Sequence, residues 1–145
     1  MKGDVVPDTD NVTRLCGGSH VREDGTIAPT AFKPRPGEVY LSVNWLETLG
    51  LPGRDHELSE VRRVLATKRK IGGSARLAVL NVGQARDVVR QESSAHIELS
   101  VRHEPDVDPG RPHDRSHSGI YGVPEDDVII PELLASVVRD ITEAR

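Results

Sequence analysis

Aromatic residues are nearly missing from this chain: one phenylalanine, one tryptophan and two tyrosines in 145 residues. Base stacking on aromatic platforms therefore has few sites. The core has to be aliphatic, and the abundance of valine favours strands. A large excess of one charge is missing too. Acids and bases are interspersed, the net charge is −4, and no uniform basic face is available for nonspecific nucleic-acid binding. The single cysteine, Cys16, excludes an internal disulfide. No apolar run approaches the roughly 20 residues of a membrane span, and the opening MKGDVVPDTD lacks the apolar stretch of a signal peptide. Those absences lead to the expectation of a cytoplasmic protein with no membrane partner.

What is present reads as strands and helices in alternation. Residues 1–10, polar and carrying Pro7, are expected to form a flexible arm, leaving 11–145 as one domain. NVTRLC (11–16) is a short strand ended by Gly17-Gly18. Residues 19–37, with an Asp-Gly pair and three prolines, form a structured loop pinned by Ile27, Ala31 and Phe32. EVYLSVNW (38–45) alternates, placing Val39, Leu41, Val43 and Trp45 on a core face and Tyr40, Ser42 and Asn44 on a polar one.

A helix is predicted over 55–70, capped by Asp55 and closed by Lys68, Arg69 and Lys70. RLAVLNV (76–82) is nearly all apolar, as a central strand covered on both faces would be. A short helix over 84–90 and a strand over 96–103 follow. Residues 104–116 form a polar loop, 117–123 return to strand character, and a final helix carries Ile130, Leu133, Leu134, Val137, Val138 and Ile141 at 3.6-residue spacing. The expected fold is α+β: a mixed or antiparallel sheet of about five strands with two main helices on one face.

Motifs carry little chemistry. His113 and His117 stand four apart, but that spacing gathers two imidazoles on a metal only within a helix, and Pro112 and Gly119 argue against one. The stretch reads as a polar loop entering a strand, with His117 at its mouth as the one member placed for acid–base work. His96-Ile97-Glu98 matches the H-x-E of zinc deaminases, yet one cysteine cannot complete that ligand set. No metal site is expected. Cys16 beside Gly17-Gly18 and His20 is read as a buried, inert thiol. Neither Gly17-Gly18-Ser19 nor Gly72-Gly73-Ser74 makes a phosphate-cradling loop. Asp106, Asp108 and Asp114 lack the spacing of a calcium loop and read as a solvated acidic segment.

One constellation remains. Arg14 interrupts an otherwise apolar strand, Tyr40, Ser42 and Asn44 share the polar face of another, and His117 opens a third. If those strands are neighbours, one polar pocket forms, with Arg14, Tyr40 and Asn44 as ligand-binding residues and Ser42 and His117 as catalytic ones. Arg14 suits a phosphate or carboxylate.

Arg14, EDGTIAPTAFKPRPGEVYLSV (23–43) and SHSGIYGVP (116–124) resemble a loose group of small bacterial proteins with an early arginine, an Asp-Gly turn leading to A-F-x-P, then L-S-V, and a late histidine before a strand. This resemblance covers about a third of the chain and implies a bacterial cytosolic setting. A fainter likeness is to the ADP-ribosyltransferase and RNA 2′-phosphotransferase folds, which also set an arginine or histidine on a first strand and a polar residue on the second. This chain lacks their S-T-S and E-x-E.

Two functions are expected from these features. The first is recognition of a protein partner within a two-gene toxin-antitoxin or defence-type system, without a cofactor. The second is an enzyme of ADP-ribosyltransferase type acting on a phosphate-bearing ligand, NAD or an RNA end.

Overall fold

The computed structural model describes residues 2–145, and among them it holds six strands and three α-helices. In chain order these are β1 (Asn11–Cys16), β2 (Tyr40–Trp45), α1 (Arg54–Lys68), β3 (Arg76–Asn81), α2 (Val82–Glu92), β4 (Ser100–His103), β5 (His117–Tyr121), α3 (Ile129–Ser136) and β6 (Asp140–Glu143). The strands form one sheet in the order β4-β5-β2-β1-β3-β6, and every neighbouring pair is antiparallel. The class is α+β.

β3 divides the core as the apolar run of its central residues 77–80 requires. Leu77 and Val79 face Leu58, Val61 and Leu65 of α1, while Ala78 and Leu80 face Ala85 and Val89 of α2 and Ile130 and Leu134 of α3. Helices thus cover both faces, not one, because the central residues 77–80 are apolar on both faces and each face needs a cover. Phe32, on the 3₁₀ turn Pro29–Phe32, is fully buried in the layer beneath α3.

The ends of the chain depart from expectation. Residues 3–6 lie along β4 instead of forming a loose arm. The Gly3 N–H donates to the His103 carbonyl at 2.6 Å, the His103 N–H to the Asp4 carbonyl at 2.8 Å, and the Val6 N–H to the Val101 carbonyl at 2.9 Å. Val6 is only 1% exposed, so the segment closes a sheet edge that would otherwise be open. The final helix stops at Ser136, and residues 140–143 become β6 on the free edge of β3. Val137, Val138 and Ile141 continue the 3.6-residue stripe in sequence, but the β-branched Ile141 and Thr142 serve a strand equally well.

Smaller differences have local causes. Val39 precedes β2 and is 76% exposed, outside the core face to which alternation assigned it. Gly53, not Asp55, occupies the N-cap of α1, with φ +102°. β4 begins only at Ser100, because His96 sits in the left-handed region at φ +48° and its N–H closes a turn onto the Ser93 carbonyl at 3.0 Å.

Candidate functional site

β1 pairs with β3 over six residues but with β2 over only two, Val12 with Trp45 and Thr13 with Asn44. Beyond Thr13 the two central strands part, and the Arg14 side chain enters the split. Its Nε donates to the Ala31 carbonyl at 2.6 Å and its Nη1 to the Ser42 carbonyl at 2.8 Å. A guanidinium therefore takes the Ser42 acceptor that the strand ladder leaves, while the Nη2 end makes no hydrogen bond within the protein. Burial lowers the Arg14 pKa from its ordinary value, but a guanidinium stays charged in proteins.

Two clefts open from this split and share Arg14, Leu15, Arg35 and Arg69 as their common wall. The wider, about 570 Å³, is bounded by residues 17–20, 30–36 and 69–75. Five of its lining side chains are Lys or Arg (Arg14, Lys33, Arg35, Arg69 and Lys70), and none is a carboxylate. Among the described residues, Lys33, Arg35, Arg69 and Lys70 form no ion pair. On a chain of net charge −4 this is a concentration of positive charge, although Glu38 and Asp114 line the adjoining cleft and Glu38 acts on Arg14.

The narrower cleft, about 200 Å³, lies between the end of α1 and the polar face of β2 and β5, and brings Ser42, Asn44 and His117 together with Arg14. His117 faces Asn44 across the ladder, and Ser42 faces Gly119, so Ser42 and His117 are diagonal neighbours on one face. The His117 Nδ1 lies 2.8 Å from the Glu104 carbonyl, and its Nε2 lies 3.3 Å from the Ser42 Oγ. A carbonyl can only accept, so Nδ1 carries the proton and Nε2 is the basic nitrogen facing the hydroxyl. The Tyr40 ring, 5.9 Å from the imidazole and 5.0 Å from Tyr121, packs beside them without lining either cleft.

Asn44 has a different place from the solvent-facing one that alternation assigned it. It is 5% exposed, and its Nδ2 donates to Asp114 Oδ1 and Ser116 Oγ, each at 2.8 Å. Asp114, 1% exposed, also receives Lys68 Nζ at 2.9 Å. The acidic loop is solvated over 107–113, where the Asp108 side chain is 73% exposed, but it is tied at its ends: Asp106 and Asp114 exchange backbone hydrogen bonds at 2.9 and 2.7 Å, and Arg111 pairs with Asp106 and Asp108. Sequence reasoning missed Arg35, Arg69, Lys68 and Asp114. The available signal was the Lys68-Arg69-Lys70 run, for which a helix C-terminus is the more economical reading and a local phosphate or partner contact the lesser one.

The remaining candidates lie apart from this centre. Cys16 is 1% exposed, and burial pushes its thiol up to about 11. His113 borders a separate hollow with Leu49 and Arg115, away from His117. His96 is engaged through Nδ1 with the Arg90 carbonyl at 2.9 Å. Among the described residues no group of three or more His, Cys, Asp or Glu is placed to hold a metal ion, and no helix is long and apolar enough to cross a membrane. No protein-family model, curated protein or solved structure matches the chain.

Proposed function

We propose that this protein binds a phosphate-bearing ligand at the junction of the two clefts and acts on it through His117. One observation carries the reading: a cleft with five cationic side chains and no carboxylate in a chain that is acidic overall. Holding five like charges together costs stability, and an anionic ligand offsets that cost. Guanidinium groups favour phosphate oxygens through paired N–H donors. The wider cleft falls within the roughly 300–1,000 Å³ of small-molecule sites. The only aromatic ring in its lining is His20, so recognition rests on the anionic group more than on base stacking. NAD, a nucleotide or a phosphorylated RNA end each offers a phosphate with a substituent for either chamber.

Thermal unfolding against such a panel tests this reading. A ligand at a hundred times its dissociation constant adds about 2.7 kcal/mol and raises the midpoint by roughly 10 °C for a domain of this size. The shift is expected in the wild type and reduced in Arg35→Ala and Arg69→Ala. Among the described residues these two side chains make no hydrogen bonds, so their removal is expected to leave the fold intact.

A protein partner is the second reading. Val39 and Val128, 76% and 62% exposed, stand on two segments tied by the hydrogen bond from the Gly37 N–H to Glu125 Oε1 at 2.7 Å. A stoichiometric complex recovered from the native cell, and lost on Val128→Asp, would support a component of a two-gene defence-type system.

A further inference from the structure

The pairing of Ser42 with His117 extends to a reaction. We propose that Ser42 is a nucleophile toward the phosphoryl group held at the cationic junction, with His117 as its general base; this rests on the phosphate-binding reading above.

Four observations converge on it. The His117 Nδ1 is committed to the Glu104 carbonyl at 2.8 Å, which fixes the tautomer and turns the Nε2 lone pair toward the Ser42 hydroxyl at 3.3 Å. A nucleophile and base in reach of each other, with the base oriented by a third group, form the pattern of covalent catalysis, and the distance is often long before substrate binds. Both residues stand on paired central strands rather than on loops, so their relation is rigid. Gly119, directly opposite Ser42, leaves room for the Tyr40 ring, which packs beside His117. Finally, Arg14 donates to the backbone carbonyl of Ser42 at 2.8 Å and lines the same cleft, so a cation stands in the cleft that holds the hydroxyl.

In this scheme the Ser42 Oγ bonds to phosphorus as its proton passes to His117 Nε2. The bond from phosphorus to the leaving oxygen breaks, and that oxygen takes the proton from Nε2. Water, with His117 again accepting a proton, then attacks the phosphoserine and restores the Ser42 hydroxyl as inorganic or monoester phosphate departs. Arg14 and Arg35 stand where charge grows on the non-bridging oxygens.

The test uses bis(4-nitrophenyl) phosphate and, as a more reactive neutral probe, diethyl 4-nitrophenyl phosphate. Released 4-nitrophenolate is followed by absorbance, and the adduct by intact mass and peptide mapping. The expected result is one adduct per chain on Ser42, absent from Ser42→Ala and formed at least 100-fold more slowly in His117→Ala, as loss of a general base implies. No adduct on Ser42 from either probe would overturn the proposal. So would nitrophenolate release that survives in Ser42→Ala while failing in His117→Ala, since His117 would then activate water directly. Pyrophosphate binding to the wild type, measured by calorimetry on the same samples, separates the two levels: binding without an adduct removes the nucleophile alone, and no binding removes the phosphate reading with it.

Discussion

Lys68 Nζ and Asp114 Oδ2 lie 2.9 Å apart, with the carboxylate 1% exposed and the lysine side chain 18% exposed. The pair fastens the end of α1 to the loop that delivers His117. Through Asn44 Nδ2 on the other carboxylate oxygen, it also reaches β2. Its removal from one side leaves a buried charge without its partner. Lys68→Ala is therefore expected to cost about 3 kcal/mol, seen as a fall of roughly 10 °C in the thermal midpoint. A change below 2 °C would mean that water already screens Asp114.

Gly119 touches the other side of the site. A β-carbon there would overlap the Tyr40 ring, whose neighbours are His117 and Tyr121. Gly119→Ala should cost about 1–3 kcal/mol by overpacking. It should also displace Tyr40 from His117, which nuclear magnetic resonance of the histidine ring protons would detect as a loss of ring-current shift.

Cys16 gives a pH dependence of defined sign. In the unfolded chain the thiol ionises from its ordinary value of 9.0, whereas burial in the folded protein holds the proton to about 11. Stability from this group is complete below pH 9 and is lost as pH rises through 11. The loss amounts to about 3 kcal/mol at roughly 1.4 kcal/mol per pH unit. Urea unfolding at pH 8 and pH 11 should show the wild type losing that much more than Cys16→Ala. The native thiol should also resist a disulfide reagent at pH 8 until the protein unfolds.

Much of the frame was legible from pattern alone. The apolar run of β3 announced a strand covered on both faces, and the alternation of β2 placed Leu41 and Val43 in the core and Ser42 outside it. Arg14, Ser42 and His117 share a cleft as the three-strand argument required. Other features were not legible because two periods or two explanations coincided. The stripe from Ile130 to Ile141 fits a helix, yet its last part completes the edge of β3. Asn44 sits on the polar side of its strand, and only the fold of the 104–116 loop buries it against Asp114. Arg35 lies among prolines where no periodicity speaks, and Arg69 lies in a run that the end of a helix already accounts for.

The central claim is that the junction of Arg14, Arg35 and Arg69 is an anion site, and titration of pyrophosphate by calorimetry tests it most directly. The wild type should bind one equivalent, more weakly as salt rises from 50 to roughly 200 mM because the attraction is electrostatic. Arg35→Ala and Arg69→Ala should each lose at least tenfold in affinity while unfolding at the wild-type temperature. Binding unchanged in both variants, or no heat from the wild type at low salt, would contradict the account.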